Sequence, residues 1–358
     1  MIKREFAELP LHTGKAPQWL FHRMKKLSRE IILLFYMENK IDDLIKKLSD
    51  PFWFQALGCI LGFDWHSSGL TTTTGSALKE ALREIPDDIG LYIVGGKGKT
   101  ALNTPKEIIK ISEKSSIDPN KWIFISRIVA RVDNNAIQDG YQLYTHLLVF
   151  TKNDKWCVIQ QGMNEKNHYA RRYHWLGDEI KSFVEDPHKG IISERFENYV
   201  LNLVSKESKK AQETITYLFH EKPEDITKLW EKVSLRLPPY HPITAREIKP
   251  ENLKTVLLKN YENPPKDFQD LILREGVGAK TLRALALISE LVYGNPASIK
   301  DPARFSFAHG GKDGHPYPVD KRNYDKSIEI LEKAIKNAKL GRREEIDTLK
   351  KLSFFFKI

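Results

Sequence analysis

YQLYTHLLVFTKNDKWCVIQQGM (141–163) carries the strongest strand signal in the chain. Two runs rich in Tyr, Leu, Val and Ile flank KNDK, a polar tetrapeptide suited to a hairpin turn. That pairing predicts antiparallel strands. Upstream, WIFISRIVARV (122–132) has the same β-branched and aromatic composition. The whole stretch 122–163 therefore reads as strand territory.

Working outward, residues 1–60 read as helix, with apolar residues at three- and four-residue spacing and Pro51 as a stop. FWFQALGCILGFDWHSSGL (52–70) is aromatic enough to be core. TTTTGSALKEALREI (71–85) reads as a Thr-rich turn followed by a short capped helix. LYIVGGKGKT (91–100) is a strand running into glycines. Residues 178–218 read as a return to helix. Proline and charge concentrate in 221–226 and 235–252, which marks a domain boundary. Beyond it, 251–293 and 323–352 read as helices. The expected fold class is α+β: a mixed N-terminal domain with antiparallel strands at 1–235, then an all-helical domain at 236–358.

The chain has 358 residues and a formal net charge of +10. Residues 321–358 hold 11 Lys/Arg against 6 Asp/Glu, half of that excess. A basic balance suits either a polyanionic partner or a Lys- and Glu-rich solvated surface. No apolar run reaches the ~18 residues of a membrane span, and the N-terminus has no apolar signal-peptide core. A cytoplasmic location is expected. The two cysteines, Cys59 and Cys157, lack metal-site spacing and read as buried thiols, so no metal or other cofactor is expected.

REGVGAKTLRAL (274–285) reads as a helix end, a glycine turn and a fresh helix start. Gly276 and Gly278 allow positive φ and close backbone approach, and Val277 pins the turn inward. The amides of the new helix lack intrahelical partners and, with the helix dipole, attract phosphate. Lys280 and Arg283 add full charge.

This stretch resembles the helix-hairpin-helix motif of DNA-binding proteins, whose turn reads GVGxKT. It is similar, further, to the DNA glycosylase and abasic-site lyase superfamily. That resemblance implies that Lys280 is a Schiff-base nucleophile and that Asp320, from PVD (318–320), assists it. Lys280 and Asp320 lie 40 residues apart, about twice the superfamily's usual gap, and Asp320 also suits a helix N-cap. The implied reaction is β-elimination at abasic DNA, with glycosylase activity in the same site. No metal is required, and the lysine must be neutral to attack.

Several further stretches resemble an uncharacterised archaeal and thermophile family, DUF763. They are LPLHTGKAPQWLFHRM (9–24), SDPFWFQALGCILGFDWHSSGLTTTT (49–74), GGKGKTALNTPKEI (95–108), ARVDNNAIQDGYQLYTH (130–146) and VIQQGMNEKNHYARRYHWL (158–176). The resemblance implies a hot-living source and no particular activity. Within these stretches, GGKGKT is not a P-loop, because Ile93 stands where its first glycine belongs. It suits a phosphate-contacting loop using Lys97 and Lys99, or a tight hairpin turn. Asp133, Asn134, Gln138, Asp139, Gln160, Gln161, Asn164, Arg171, Arg172 and His174 cluster beside the strands. With Tyr169, Tyr173 and Trp175 interleaved, Arg171, Arg172 and His174 suit nucleotide binding by ion pairing and stacking. The same residues equally suit a buried polar network. A metal-dependent nuclease using Asp133 and Asp139 and a non-catalytic DNA or RNA binder are the alternatives.

Overall fold

Alternating strand residues send their side chains to opposite faces, and here both faces are buried. In the computed structural model, Leu147, Val149, Cys157 and Ile159 enter one apolar cluster, while Leu148, Phe150, Trp156 and Val158 enter another. The structure describes residues 17–63, 69–193, 195–237, 241, 243 and 247–304, with 333, 336 and 348 in isolation.

The first cluster is covered by helices α1 (Gln18–Met37), α2 (Ile41–Ser49), α3 (Pro51–Ile60) and α4 (Gly69–Leu82). Asp50 caps α3 by accepting from the Trp53 amide at 2.8 Å, and Pro51 fills the first helical position. The Thr-rich run is not a turn. Thr71–Thr74 lie within α4, where Thr71, Thr74, Ala77, Leu78 and Ala81 form the buried face. Spacing of three and four outweighs the poor helix propensity of threonine.

Strand β1 (Leu91–Lys97) leads into a one-turn helix, α5 (Lys99–Leu102), then α6 (Thr104–Ser112) and α7 (Pro119–Arg131). The glycine stretch thus turns into helix rather than closing a hairpin. Residues 122–131, expected as strand, are helical and belong to α7. Asp118 caps the Asn120 amide and Pro119 starts the helix, while Trp122, Ile125, Ile128 and Val129 fall on one helical face. A single π-turn, Val132–Ala136, follows.

After the two-residue strand β2 (Ile137–Gln138) come β3 (Gln142–Thr151), β4 (Trp156–Met163), β5 (Ala170–Leu176), β6 (Gly190–Ser193) and the short β7 (Leu201–Asn202). The main sheet is antiparallel in the order β1-β3-β4-β5-β6, and β2 pairs with β7. KNDK is the hairpin turn between β3 and β4, with Asp154 at φ +62°. Residues 178–208, expected as helix, contain β6 and β7. Only α8 (Lys209–Tyr217) answers to that expectation.

Helices α9 (Pro223–Arg236), α10 (Pro250–Tyr261), α11 (Phe268–Leu273) and α12 (Ala279–Tyr293) complete the order. The second apolar cluster runs without a break from Val94, α7 and the strands through Trp230, Leu257 and Leu271 to Leu285 and Ala303. The molecule is therefore a mixed α/β protein with an antiparallel sheet and twelve helices among the described residues. The expected boundary near 236 falls beside residues outside the described set. No helix among the described residues is long and apolar enough to cross a membrane.

Candidate functional site: the glycine hairpin and the polar centre beneath it

Of the two hairpin glycines expected to use positive φ, only Gly276 does so. Gly276 sits at φ +81°, a region costly for any residue with a Cβ. Val277 is fully buried, and Gly278 is extended at φ −124°, ψ −177° as it opens α12. Lys280, in the first turn of α12, is exposed. Arg283 is committed to protein contacts: Nε donates to Gln138 Oε1 and NH1 to Glu247 Oε1, both at 2.7 Å. Asp320 lies outside the described residues, as does the expected helical stretch 323–352 apart from 333, 336 and 348.

The hairpin is fastened to the end of α7. Arg131 NH1 donates to the Val277 carbonyl at 2.9 Å. Gln138 Nε2 donates to the Ala279 carbonyl at 2.8 Å. Between those two anchors lies the π-turn, which points Asp133 into the interior. π-turns inside helices often mark functional positions.

Asp133 is fully buried and receives three donors. Gln160 Nε2 lies 2.5 Å and Trp175 Nε1 2.9 Å from Oδ2, and His188 Nε2 lies 2.5 Å from Oδ1. Gln160 Oε1 lies 2.8 Å from His146 Nδ1, and His146 Nε2 lies 2.9 Å from Ser126 Oγ. An amide oxygen only accepts, so His146 donates from Nδ1 and accepts the serine proton at Nε2. Burial holds the His146 pKa below the usual histidine value, against the opposing influence of Gln160 and Asp133. A polar thread thus runs from α7 through three strands to His188.

A second network surrounds Arg171, whose side chain is wholly buried. NH1 donates to Asp139 Oδ2 at 2.9 Å and Asp301 Oδ1 at 3.0 Å, and NH2 to Asp301 Oδ2 at 2.7 Å. Tyr173 donates to the same Asp139 oxygen at 2.6 Å, and the guanidinium lies 4.5 Å from the Tyr141 ring centre. Burial opposes the charge on Arg171, but Asp139, Tyr173 and Asp301 outweigh it and raise its pKa.

Arg172 points to the other face. It donates to Gln55 Oε1 at 2.9 Å, Thr71 Oγ1 at 3.2 Å and the Pro51 carbonyl at 3.3 Å, over the ring of Phe54. Burial pushes its pKa down to about 9. His174 is also fully buried against Phe54, and burial, with the nearby Arg172 charge, holds its pKa well below the usual histidine value.

These positions correct the nucleotide-binding expectation for Arg171, Arg172 and His174. All three are interior side chains of β5 that tie the sheet to α3, α4 and the chain near 301. Asp133 and Asp139 serve separate networks, and no group of three metal-binding side chains occurs among the described residues.

The GGKGKT loop is built on a close approach. Gly95, at φ +91°, passes so near β3 that a Cβ would lie 2.2 Å from the His146 carbonyl oxygen. Its amide donates to Glu107 Oε2 at 2.7 Å, and Lys79 bridges Glu107 and the Gly95 carbonyl. Lys97 and Lys99 are exposed, with Lys97 5.7 Å from the Tyr144 ring centre. The sequence reading did not find Ser126, His146, His188, Lys79, Glu107 or Asp301. His188 sits in an irregular loop without a pattern, and Asp301 acts from 130 positions beyond its partner.

These features define a helix-flanked antiparallel sheet with a buried polar centre and a glycine hairpin fastened over it. The chain belongs to the family described as Protein of unknown function (DUF763), whose model matches residues 5–319. No curated protein and no solved structure matches it.

Proposed function

We propose that the protein processes DNA at abasic sites, as a lyase that uses Lys280. The observation that carries this reading is the hairpin: Gly276 left-handed, Val277 buried, Gly278 extended, and Lys280 exposed in the first turn of a 15-residue helix. The opening amides of α12 and the helix dipole favour a backbone phosphate. Arg131, hydrogen-bonded to the Val277 carbonyl, adds positive charge beside the turn. Exposed Lys97 and Lys99 offer a second contact to the phosphate backbone.

In the reaction, the neutral Lys280 amine adds to C1′ of the open-chain deoxyribose, and water leaves to give an imine. Loss of a C2′ proton then expels the 3′ phosphate, and hydrolysis of the imine returns the amine. Asp320 is assigned the accompanying proton transfer. Arg283, held by Gln138 and Glu247, positions the head of α12 rather than the substrate. Glycosylase activity is compatible with the same amine. Residues 236–358 are assigned as the DNA-facing part, and a cytoplasmic location and a hot-living archaeal source fit this role.

Borohydride trapping tests the reading. The full chain is incubated in EDTA with a labelled oligonucleotide carrying one abasic site and then reduced. A covalent protein–DNA band is expected, and it is expected to vanish in Lys280→Ala. A band that survives in Lys280→Ala overturns the assignment of this lysine. Absence of any band overturns the lyase and leaves a metal-dependent nuclease or a non-catalytic DNA or RNA binder.

A further inference from the structure

His188 is held in one orientation by a fully buried carboxylate, and its side chain, 8% exposed, lies on the wall of a cleft. Its Nε2 lies 2.5 Å from Asp133 Oδ1, and its ring packs 4.3 Å from Trp175, centre to centre. The other ring nitrogen, Nδ1, makes no hydrogen bond among the described residues. The imidazole lines a small cleft together with Asp186, Asn202, Ile191, Pro302 and Arg304. A carboxylate that accepts from one ring nitrogen fixes the tautomer, leaving the lone pair on the other. With Nε2 turned to Asp133, Nδ1 is left as a hydrogen-bond acceptor for a donor that occupies the cleft.

Three features indicate what that occupant is. Arg304 is exposed on the cleft wall and supplies a forked cationic donor, the side chain best matched to oxyanions. The one carboxylate on the wall among the described residues, Asp186, is countered by Lys206, 3.9 Å away. Asp186 is also held at φ +46°, an uncommon backbone region for a residue other than glycine, two positions before His188. A protonated oxyanion meets these groups best. Its P–OH donates to His188 Nδ1 while its charged oxygens face Arg304.

We propose that the cleft between His188 and Arg304 is a binding site for a phosphate monoester, with Asp133 positioning His188. The assignment does not rest on the Schiff-base chemistry of Lys280. The cleft and the hairpin are nonetheless attached to consecutive residues of one strand: Ile137 lines the cleft, and Gln138 holds the head of α12.

The test uses the full chain labelled with ¹³C at histidine Cε1. The His188 signal is identified by its loss in His188→Gln, or by its response to Asp133→Asn if that variant does not fold. Inorganic phosphate and then glycerol phosphate are titrated at constant ionic strength, with sodium chloride as the control. Both phosphates are expected to shift the His188 signal saturably. In Arg304→Gln, an exposed substitution that leaves the fold intact, the apparent affinity is expected to fall at least ~tenfold, equivalent to ~1.4 kcal/mol. A shift no larger than that produced by chloride overturns the proposal, and so does a shift undiminished in Arg304→Gln. A response to inorganic phosphate without one to glycerol phosphate overturns the monoester assignment.

Discussion

Arg131 on α7 donates a hydrogen bond to the carbonyl of Val277, 146 positions later in the chain, at 2.9 Å. The contact closes the glycine hairpin onto the part of the molecule that carries the polar centre. Arg131→Ala removes a charged donor from a partly buried carbonyl, and the expected loss of stability is about 1–2 kcal/mol. Nucleic-acid affinity is expected to fall further than this loosening alone explains, because a cation beside the turn is lost as well. Chemical denaturation and binding at fixed salt separate the two effects. Unchanged affinity would remove Arg131 from the interface.

Two glycines two positions apart in the hairpin turn make opposite predictions. A Cβ on Gly276 would adopt φ +81° and lie 3.3 Å from Val256 Cγ2. Gly276→Ala is therefore expected to lower stability by about 1–2 kcal/mol. A Cβ on Gly278 meets nothing within 4 Å, at an ordinary extended φ. Gly278→Ala is expected to leave the melting temperature nearly unchanged while weakening DNA binding, because the methyl group would stand in the way of the proposed phosphate contact. Equal binding by Gly278→Ala and wild type would show that no phosphate comes that close.

The Arg171 network is expected to be structural. Its partners Asp139 and Asp301 are almost completely buried with it. Asp139→Asn deletes one carboxylate charge from the interior and is expected to cost about 3–5 kcal/mol, the usual penalty for breaking a buried pair from one side. Asp139→Asn that folds with wild-type stability would refute this account of why β5 holds two adjacent arginines.

Acid is expected to weaken the fold before the carboxylates titrate. Burial holds His146 and His174 below the usual histidine pKa in the folded chain. As the pH falls from 7 to 5 the unfolded chain takes up more protons at these positions than the folded chain. Stability therefore falls as the pH falls, by up to about 1.4 kcal/mol per pH unit for each histidine. Denaturation at pH 7, 6 and 5 measures the slope. His174→Leu is expected to remove about one proton's share of it, and an unchanged slope would show that His174 charges within the folded chain.

What the sequence disclosed was local. The β3–β4 hairpin was legible because KNDK carries its own turn chemistry, and the glycine hairpin because positive φ demands glycine at Gly276. Helix α7 was misread because its composition is β-branched and aromatic. Its better signals were Asp118 and Pro119 at the start and the helical spacing of Trp122, Ile125 and Val129. Arg171 and Arg172 look alike in sequence, but adjacent strand positions face opposite sides of a sheet. One meets Asp301 and the other Gln55, partners 130 positions downstream and 117 upstream. Neither distance leaves a local trace. The Asp133–His188 pair, 55 positions apart, escaped notice for the same reason.

The π-turn at Val132–Ala136 amounts to a single residue inserted into the end of a helix. Removing one residue there would let α7 continue in regular α geometry, swinging Asp133 by about 100° around the axis. Trp175, Gln160 and His188 would lose their shared acceptor, and the Arg131 and Gln138 anchors of the hairpin would fall out of step with each other. The chain is thus counted residue by residue at this point. Side chains nearby can be exchanged one at a time in descendants of this sequence, but a one-residue deletion at this turn is a change from which neither end of the polar thread recovers.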